Sequence, residues 1–141
     1  MTAARSVAAL FGAVYVIIAI AGFVPALVTG EVPPDMPSAA GNLLGIFPIN
    51  AVHNVVHLVI GAALLYGATA TPRAIAVAKV VGVVYLAVAL LGLVAPDTFG
   101  LMPIGGADIF LHLFTAAVLL YIGFMYERST AATPTADRAR T

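Results

Sequence analysis

The chain has 141 residues, of which 62% are hydrophobic and only 9% are charged, and its formal net charge is zero. Soluble domains carry roughly 25% charged residues, so this chain has too little polar surface to face water on all sides. The six basic residues form no patch, which excludes nucleic acid as a partner. The absence of cysteine excludes disulfides and thiolate metal sites. The composition predicts an integral membrane protein in contact with the lipid bilayer.

Four apolar segments follow one another along the chain, and each is near the ~20 residues that a bilayer span requires. The four predicted helices cover about 6–28, 50–69, 73–95 and 107–126. The first apolar run exceeds the ~7–15 residues of a signal-peptide core, so we expect a retained first helix. Thr71-Pro72 separates the second helix from the third, because proline fits the first turn of a helix but not its interior. The transmembrane domain is predicted to span 1–128.

The connections between the predicted helices differ in charge. Lys and Arg occur at the N-terminus, around the middle connection and in the tail, whereas the loops 29–48 and 96–106 contain only acidic charged residues. By the positive-inside rule, both termini are cytoplasmic and these two loops face the other side. Prolines make 30–41 neither helix nor strand, and the apolar segment 43–48 is expected to fold back onto the bundle. The polar tail 129–141 is predicted to be disordered and cytoplasmic.

The second and fourth predicted helices resemble each other. Segment 45–66 aligns with segment 100–121, so that His57 falls opposite His112 and His53 falls opposite Asp108.

The first and third predicted helices also match, along a face of glycine, tyrosine and alanine at helical spacing. Gly12, Tyr15, Ala19 and Gly22 align with Gly82, Tyr85, Ala89 and Gly92. The small residues of this face favour close packing of helices in lipid. The repeat predicts an all-α, integral membrane four-helix bundle, built from two tandem helical hairpins with pseudo-two-fold symmetry about the membrane normal.

The polar residues of the repeat form two pairs at i,i+4 spacing, which places both members of each pair on one face of a helix. His53 and His57 form the first pair, and Asp108 and His112 form the second. Burying these groups without partners in lipid would cost a few kcal/mol each. Three imidazoles and one carboxylate suit a divalent transition metal such as Zn, Fe, Mn or Cu. We expect Tyr15, Tyr85 and Asn54 to support these ligands, with the two tyrosines hydrogen-bonding the imidazoles. Segments 43–48 and 99–104 are expected to cover the site.

Other interpretations stay open at this point. The histidines could only hydrogen-bond between helices, with no cofactor, in a structural or accessory subunit that associates with itself or with a larger membrane complex. His57 and His112 could instead be axial ligands of a b-type haem, and the histidines could relay protons. The sequence contains no nucleophile elbow and no phosphate-binding loop, so it favours no catalytic role and predicts no catalytic residue.

The segments "HNVVHLVIG" (53–61) and "DIFLHLF" (108–114) resemble a family of small bacterial membrane proteins, the domain of unknown function 4383, which is frequent in actinobacteria. The family pattern is matched at His53, Asn54, His57, Leu58, Gly61, Asp108, His112 and Leu113. The resemblance covers about 7–126 and implies a multi-pass protein of the bacterial cytoplasmic (inner) membrane. It implies no activity. Ala116 stands where the first repeat has Gly61, so the two halves differ at the site.

Overall fold

The computed structural model describes residues 1–126, and four α-helices contain most of them. The helices are α1 (Ala3–Ala21), α2 (Ala51–Gly67), α3 (Thr71–Val94) and α4 (Ala107–Leu120). After α4 the chain continues as one π-helical turn over Tyr121–Met125. The predicted tail 129–141 and the last two positions of the predicted domain lie outside the described residues.

Three helical segments are long and apolar enough to cross a membrane: Ala3–Ala21, Thr71–Val94 and Ala107–Met125. The remaining helix, α2, is also apolar but has only 17 residues. Large apolar side chains such as Ile17, Val80 and Phe110 are exposed on the outside of the bundle, where lipid can cover them. The prediction of a mostly helical membrane protein is confirmed.

The first helix ends earlier than the sequence predicted, at Ala21 rather than at 28. Pro25 opens a short 3₁₀ turn, Pro25–Leu27, and the preceding Val24 is extended, with φ −92° and ψ 109°. Proline disfavours the helical conformation of the residue before it and lacks the N–H that a helix interior needs. Residues 22–28 are apolar, as a membrane-spanning helix requires, but their backbone is not α-helical.

A small antiparallel sheet follows α1, and the sequence did not predict it. Its strands are β1 (Val28–Thr29), β2 (Gly41–Leu43) and β3 (Phe47–Ile49), paired in that order. Leu44 and Gly45 reverse the chain between β2 and β3 with positive φ angles of 54° and 73°. Glycine adopts this conformation readily, whereas Leu44 is strained in it. The segment 30–41, which was predicted to be neither helix nor strand, contains no helix, and only its last residue belongs to a strand.

The helices pack mainly in sequential pairs, α1 against α2 and α3 against α4. Gly12 and Gly61 allow the closest approach of the first pair, because a Cβ added at Gly12 would lie 2.9 Å from the carbonyl oxygen of Gly61. Gly82 gives the second pair a similar approach, but there the nearest atom is in the side chain of Leu120. The prediction that the small-residue faces of the first and third helices allow close packing is confirmed at Gly12 and Gly82.

The two ends of the bundle differ in chemistry. At one end, Arg5 donates from Nε to the carbonyl oxygen of Ala68 at 2.8 Å, and the guanidinium of Arg73 lies 5.2 Å from the centre of the Tyr66 ring. The start of α1 and the connection between α2 and α3 therefore share this end. Buried alanines fill its core, namely Ala4, Ala8, Ala74 and Ala78. The histidines lie toward the opposite end, under the small sheet and the loop before α4.

Candidate metal centre

The three histidines of the described chain come together in one cluster inside the bundle. One ring nitrogen from each of His53, His57 and His112 lies within 4.8 Å of the other two. All three side chains are buried, with at most 6% of the residue exposed. The cluster joins the first two turns of α2 to the second turn of α4, so residues from opposite halves of the chain meet here.

His53 is fixed by two hydrogen bonds at the start of α2. Asn50 caps this helix, because its Oδ1 accepts the backbone N–H of His53 at 2.9 Å. The His53 ring donates from Nδ1 to the carbonyl oxygen of Pro103 at 2.9 Å. A carbonyl oxygen only accepts, so the proton of the neutral ring belongs on Nδ1, and Nε2 points into the cluster with a free lone pair.

His57 lies one helical turn deeper. Its Nε2 is 3.2 Å from Nε2 of His53, with the two rings nearly perpendicular at 76°. With His53 Nε2 unprotonated, His57 Nε2 donates the hydrogen bond between them. Two nitrogens bound to one tetrahedral zinc ion at 2.0–2.1 Å would be about 3.3 Å apart, so the observed separation is close to that of two ligands of one metal.

Helix α4 contributes Asp108 and His112 to the cluster. His112 donates from Nδ1 to the backbone carbonyl oxygen of Asp108 at 2.7 Å, which leaves its Nε2 without a proton in the neutral ring. Asp108 lies in the first turn of α4, where the positive end of the helix dipole favours a carboxylate. Its Oδ1 is 3.3 Å from His112 Nδ1, and its Oδ2 is 3.8 Å from His53 Nε2.

One oxygen of this carboxylate has no partner. Asp108 is only 2% exposed, and its Oδ2 makes no hydrogen bond to any residue of 1–126. Leaving a buried polar atom unpaired costs about 1–3 kcal/mol, and more if it is charged. The three histidines thus form the close ligand group, and Asp108 lies beside it with one oxygen free.

Tyr15, Tyr85 and Asn54 all border the cluster, but not in the way that the sequence suggested. Tyr15 packs its ring 5.1 Å from that of His57, while its hydroxyl hydrogen-bonds Thr115 Oγ1 at 2.7 Å rather than an imidazole. Tyr85 packs 4.8 Å from the His112 ring, and its buried hydroxyl has no hydrogen-bond partner within 1–126. The side chain of Asn54 packs against Gly22 of α1.

A small cavity of about 30 Å³ opens beside the imidazoles, between α2 and α3. A volume near 30 Å³ is the share of one water molecule in the liquid. The walls combine the three imidazoles with one aromatic, one thioether and four aliphatic side chains: His53, His57, His112, Tyr85, Met102, Val56, Ile60, Val84 and Val88. The space suits an ion or a single water molecule.

Two loops outside the helices, 22–50 and 95–106, cover the cluster, and we call them the first and second outer loops. Leu43, Leu44 and Phe47 line a second cavity together with His53, His57 and Asp108, so the segment 43–48 does fold onto the site as predicted. The segment 99–104 contributes the carbonyl oxygen of Pro103 to His53.

Polar contacts join the two loops to each other. The Asn50 amide donates to the carbonyl oxygens of Ser38 at 3.1 Å and Leu101 at 3.0 Å. Ser38 donates from its backbone N–H to Asp97 Oδ1 at 2.9 Å, and its hydroxyl also bonds this oxygen. Asn50 thus links the first outer loop, the second outer loop and the start of α2.

The family model described as "Domain of unknown function (DUF4383)" matches residues 5–125. The chain belongs to the DUF4383 family. The match contains every residue of the cluster and confirms the resemblance that the two histidine segments suggested. The comparisons with curated proteins and with solved structures gave no significant match.

Four residues of this DUF4383 chain contribute to the site without having been singled out from the sequence: Asn50, Met102, Pro103 and Thr115. Asn50 had a readable signal, since asparagine directly before an apolar helical run is a preferred N-cap. Met102 and Pro103 lie in the segment 99–104 that was predicted to cover the site, but nothing distinguished these two residues within it, and Thr115 had no signal. Their contributions depend on which turn of a neighbouring helix, or which loop backbone, lies against the cluster.

Proposed function

We propose that this protein binds one transition-metal ion inside the bundle through His53, His57 and His112, with Asp108 as the neighbouring carboxylate. The observation that carries this proposal is the convergence of three ring nitrogens within 4.8 Å from two different helices. Imidazole suits Zn, Fe and Cu ions, and a carboxylate extends the range to Mn.

The orientation of the imidazoles supports the proposal. Metal-binding histidines usually donate their other ring N–H to a carbonyl or carboxylate, which fixes the ring and makes the ligand nitrogen more basic. His53 does so to Pro103, and His112 does so to Asp108. A metal ion would replace the weak hydrogen bond between His53 and His57 with two coordinate bonds.

The free carboxylate oxygen gives independent support. Asp108 Oδ2 is buried without a partner, and a cation in the cluster would compensate its charge. The positive end of α4 alone compensates about half an elementary charge. The proposal therefore explains why this bundle keeps a carboxylate inside an apolar domain.

We propose that α2 also crosses the membrane, so that all four helices are transmembrane. They form two tandem hairpins related by a pseudo-two-fold axis along the membrane normal. Support comes from the repeat in the sequence and from the pairing of α1 with α2 and of α3 with α4. Arg5 and Arg73 share the end opposite to the histidines. We infer a bacterial cytoplasmic membrane, cytoplasmic termini and a metal site nearer the outer face.

A second candidate function is a structural or accessory subunit without a cofactor. The observation that favours it is that the imidazoles already hydrogen-bond one another and the backbone. Such a subunit would associate with a second copy or with a larger membrane complex. A b-type haem between His57 and His112 is less favoured, because it needs far more room than a cavity of about 30 Å³. A proton relay along the histidines remains the alternative that needs no added volume.

Elemental analysis of the detergent-purified full chain, together with its visible absorption spectrum, tests the proposal. The comparison variant is His57→Gln/His112→Gln, which keeps polar side chains but removes two imidazole ligands. We expect one metal ion per chain in the wild-type protein, after purification or after incubation with Zn, Fe, Mn and Cu salts, and none in the variant. Tyr85→Phe is the control, because it alters the wall of the cavity without removing a ligand.

Each outcome decides between the candidates. A metal-free wild-type protein that stays empty after incubation would overturn the metal proposal. A haem absorption band would show that the protein binds haem, and the proposed ligand would then be haem instead of a metal ion alone. Equal metal content in the wild-type protein and the double variant would show that the metal binds outside the histidine cluster. The variant's gel-filtration profile and helical circular dichroism show whether the variant is folded.

A further inference from the structure

We infer that the preferred ion of this site is Cu(I), with the thioether of Met102 completing the coordination of the three imidazoles. This inference rests on the proposed metal site and concerns which ion it selects. Two observations support it independently: the charge of the groups around the cluster and the position of Met102.

The charge around the cluster favours a monovalent ion. Neutral imidazoles bring no charge, so the carboxylate of Asp108 is the charged group next to the three rings. Asp108 lies behind the rings rather than in the cavity wall, which consists of the three imidazoles, Tyr85, Met102 and aliphatic side chains. Cu(I) with one carboxylate is neutral, whereas a divalent ion leaves one net positive charge. An uncompensated charge in an apolar membrane protein interior is costly.

Met102 places a thioether, which is a soft donor, in the wall of the cavity. It lies directly before Pro103, whose carbonyl oxygen holds His53, and it lines the same small cavity as the three imidazoles. Thioether sulfur is a soft donor that selects Cu(I), while Mn and Mg prefer oxygen ligands. Methionine also fills irregular gaps in cores, so its presence needs a test that separates coordination from packing.

The shape of the cavity agrees with this choice. With about 30 Å³ available, the cavity has space for one ion beside the imidazoles. Val56, Ile60, Val84 and Val88 form its apolar walls. Cu(I) accepts two to four soft or imidazole ligands without retaining water, and the cavity wall offers it three imidazoles and one thioether.

Competition for metal in the absence of oxygen tests the inference on the full chain in detergent. Cu(I) is titrated against a colorimetric Cu(I) chelator, and Zn(II) against a zinc dye. For Met102→Leu, we expect Cu(I) affinity to fall by at least about tenfold and Zn(II) affinity to change by less than about threefold. Leucine for methionine conserves volume, so packing is retained.

Met36→Leu is the matched control. Met36 is a buried methionine near Gly105, whereas Met102 is only half-buried, and Met36 does not line the cavity of the three imidazoles. We expect this variant to bind both ions as the wild-type protein does. X-ray absorption at the copper edge of the wild-type protein adds a measurement that needs no variant, with one sulfur neighbour expected beside the nitrogen neighbours.

The outcomes separate the two proposals. Zinc bound with higher affinity than Cu(I), or copper bound without a sulfur neighbour, would overturn the Cu(I) inference and leave the metal site intact. Equal Cu(I) affinity in Met102→Leu and the wild-type protein would exclude Met102 as a ligand. Failure of the wild-type chain to bind either ion would overturn the metal site itself.

Discussion

The polar pairs of α2 and α4 occupy aligned positions in the sequence repeat but make different contacts in the cluster. On α2, His53 and His57 face each other with Nε2 atoms 3.2 Å apart. On α4, His112 donates back to the carbonyl oxygen of Asp108 in its own helix. One half thus presents two ligand nitrogens, while the other presents one nitrogen and a charge. The comparison teaches that equal spacing on two helices does not imply equal roles in a shared site.

The largest expected effect tests this division of roles. Under the proposed function, His57→Gln removes a ligand and should lower metal affinity by more than about a hundredfold. Asp108→Asn removes the compensating charge but no member of the close nitrogen group, and we expect a loss of about tenfold to a hundredfold. Titration of each variant against a metal-binding dye measures both. Equal losses would mean that Asp108 is itself a ligand, and the two pairs would then be alike.

The two helix interfaces provide a second contrast, in stability. A Cβ at Gly12 would meet backbone atoms of Gly61 and Leu65 at 2.9 Å, and backbone atoms move only if α1 moves away from α2. We expect Gly12→Ala to lower the free energy of unfolding by about 1–3 kcal/mol.

Gly82→Ala is the matched variant in the other interface. The two nearest contacts there are with the Leu120 side chain, at 2.9 and 3.0 Å, and the Leu120 backbone nitrogen is farther away, at 3.1 Å. The side chain can change rotamer, and alanine also favours the helix. We expect a loss below about 1 kcal/mol. Unfolding of both variants in mixed micelles measures the difference, and a Gly82→Ala variant that is as unstable as Gly12→Ala would contradict it.

The smallest expected effect concerns the paired tyrosines. Tyr15 has a hydrogen bond to Thr115, whereas the Tyr85 hydroxyl has no partner within 1–126. We expect Tyr15→Phe to lower the free energy of unfolding by about 0.6 kcal/mol, the average for such bonds in membranes. Tyr85→Phe should cause no loss, because it removes a buried hydroxyl without a hydrogen bond. The same unfolding assay applies, and a destabilised Tyr85→Phe would indicate a partner such as a bound water.

Composition and periodicity were enough to predict a helical membrane protein and the residues of the polar cluster. Hydrophobicity reports where the chain can meet lipid, and the i,i+4 spacing reports which side chains share a helix face. The same signals missed the end of α1 at Ala21 and the small sheet, because an apolar segment such as 41–49 can pair as strands as readily as it can form a helix. Metal binding, symmetry and orientation stay predictions.

The contacts of the site were harder to predict than its members. Thr115 takes the hydrogen bond that was expected between Tyr15 and an imidazole, since the relative rotation of α1 and α4 decides which group is in reach. Met102 carries no periodic signal, because it lies in a loop whose course is set by contacts with Ser38 and Asn50. Sequence repeats predict faces, while the distances within a site depend on packing between elements.

The three hydrogen bonds of the Asn50 side chain have a consequence for exchange kinetics. One amide connects Ser38 of the first outer loop, Leu101 of the second and the backbone of His53. Neither loop can swing away from the cluster without breaking part of this junction. Any ion held there would therefore exchange in rare concerted openings, and its residence time would depend on Asn50, a residue that never touches it.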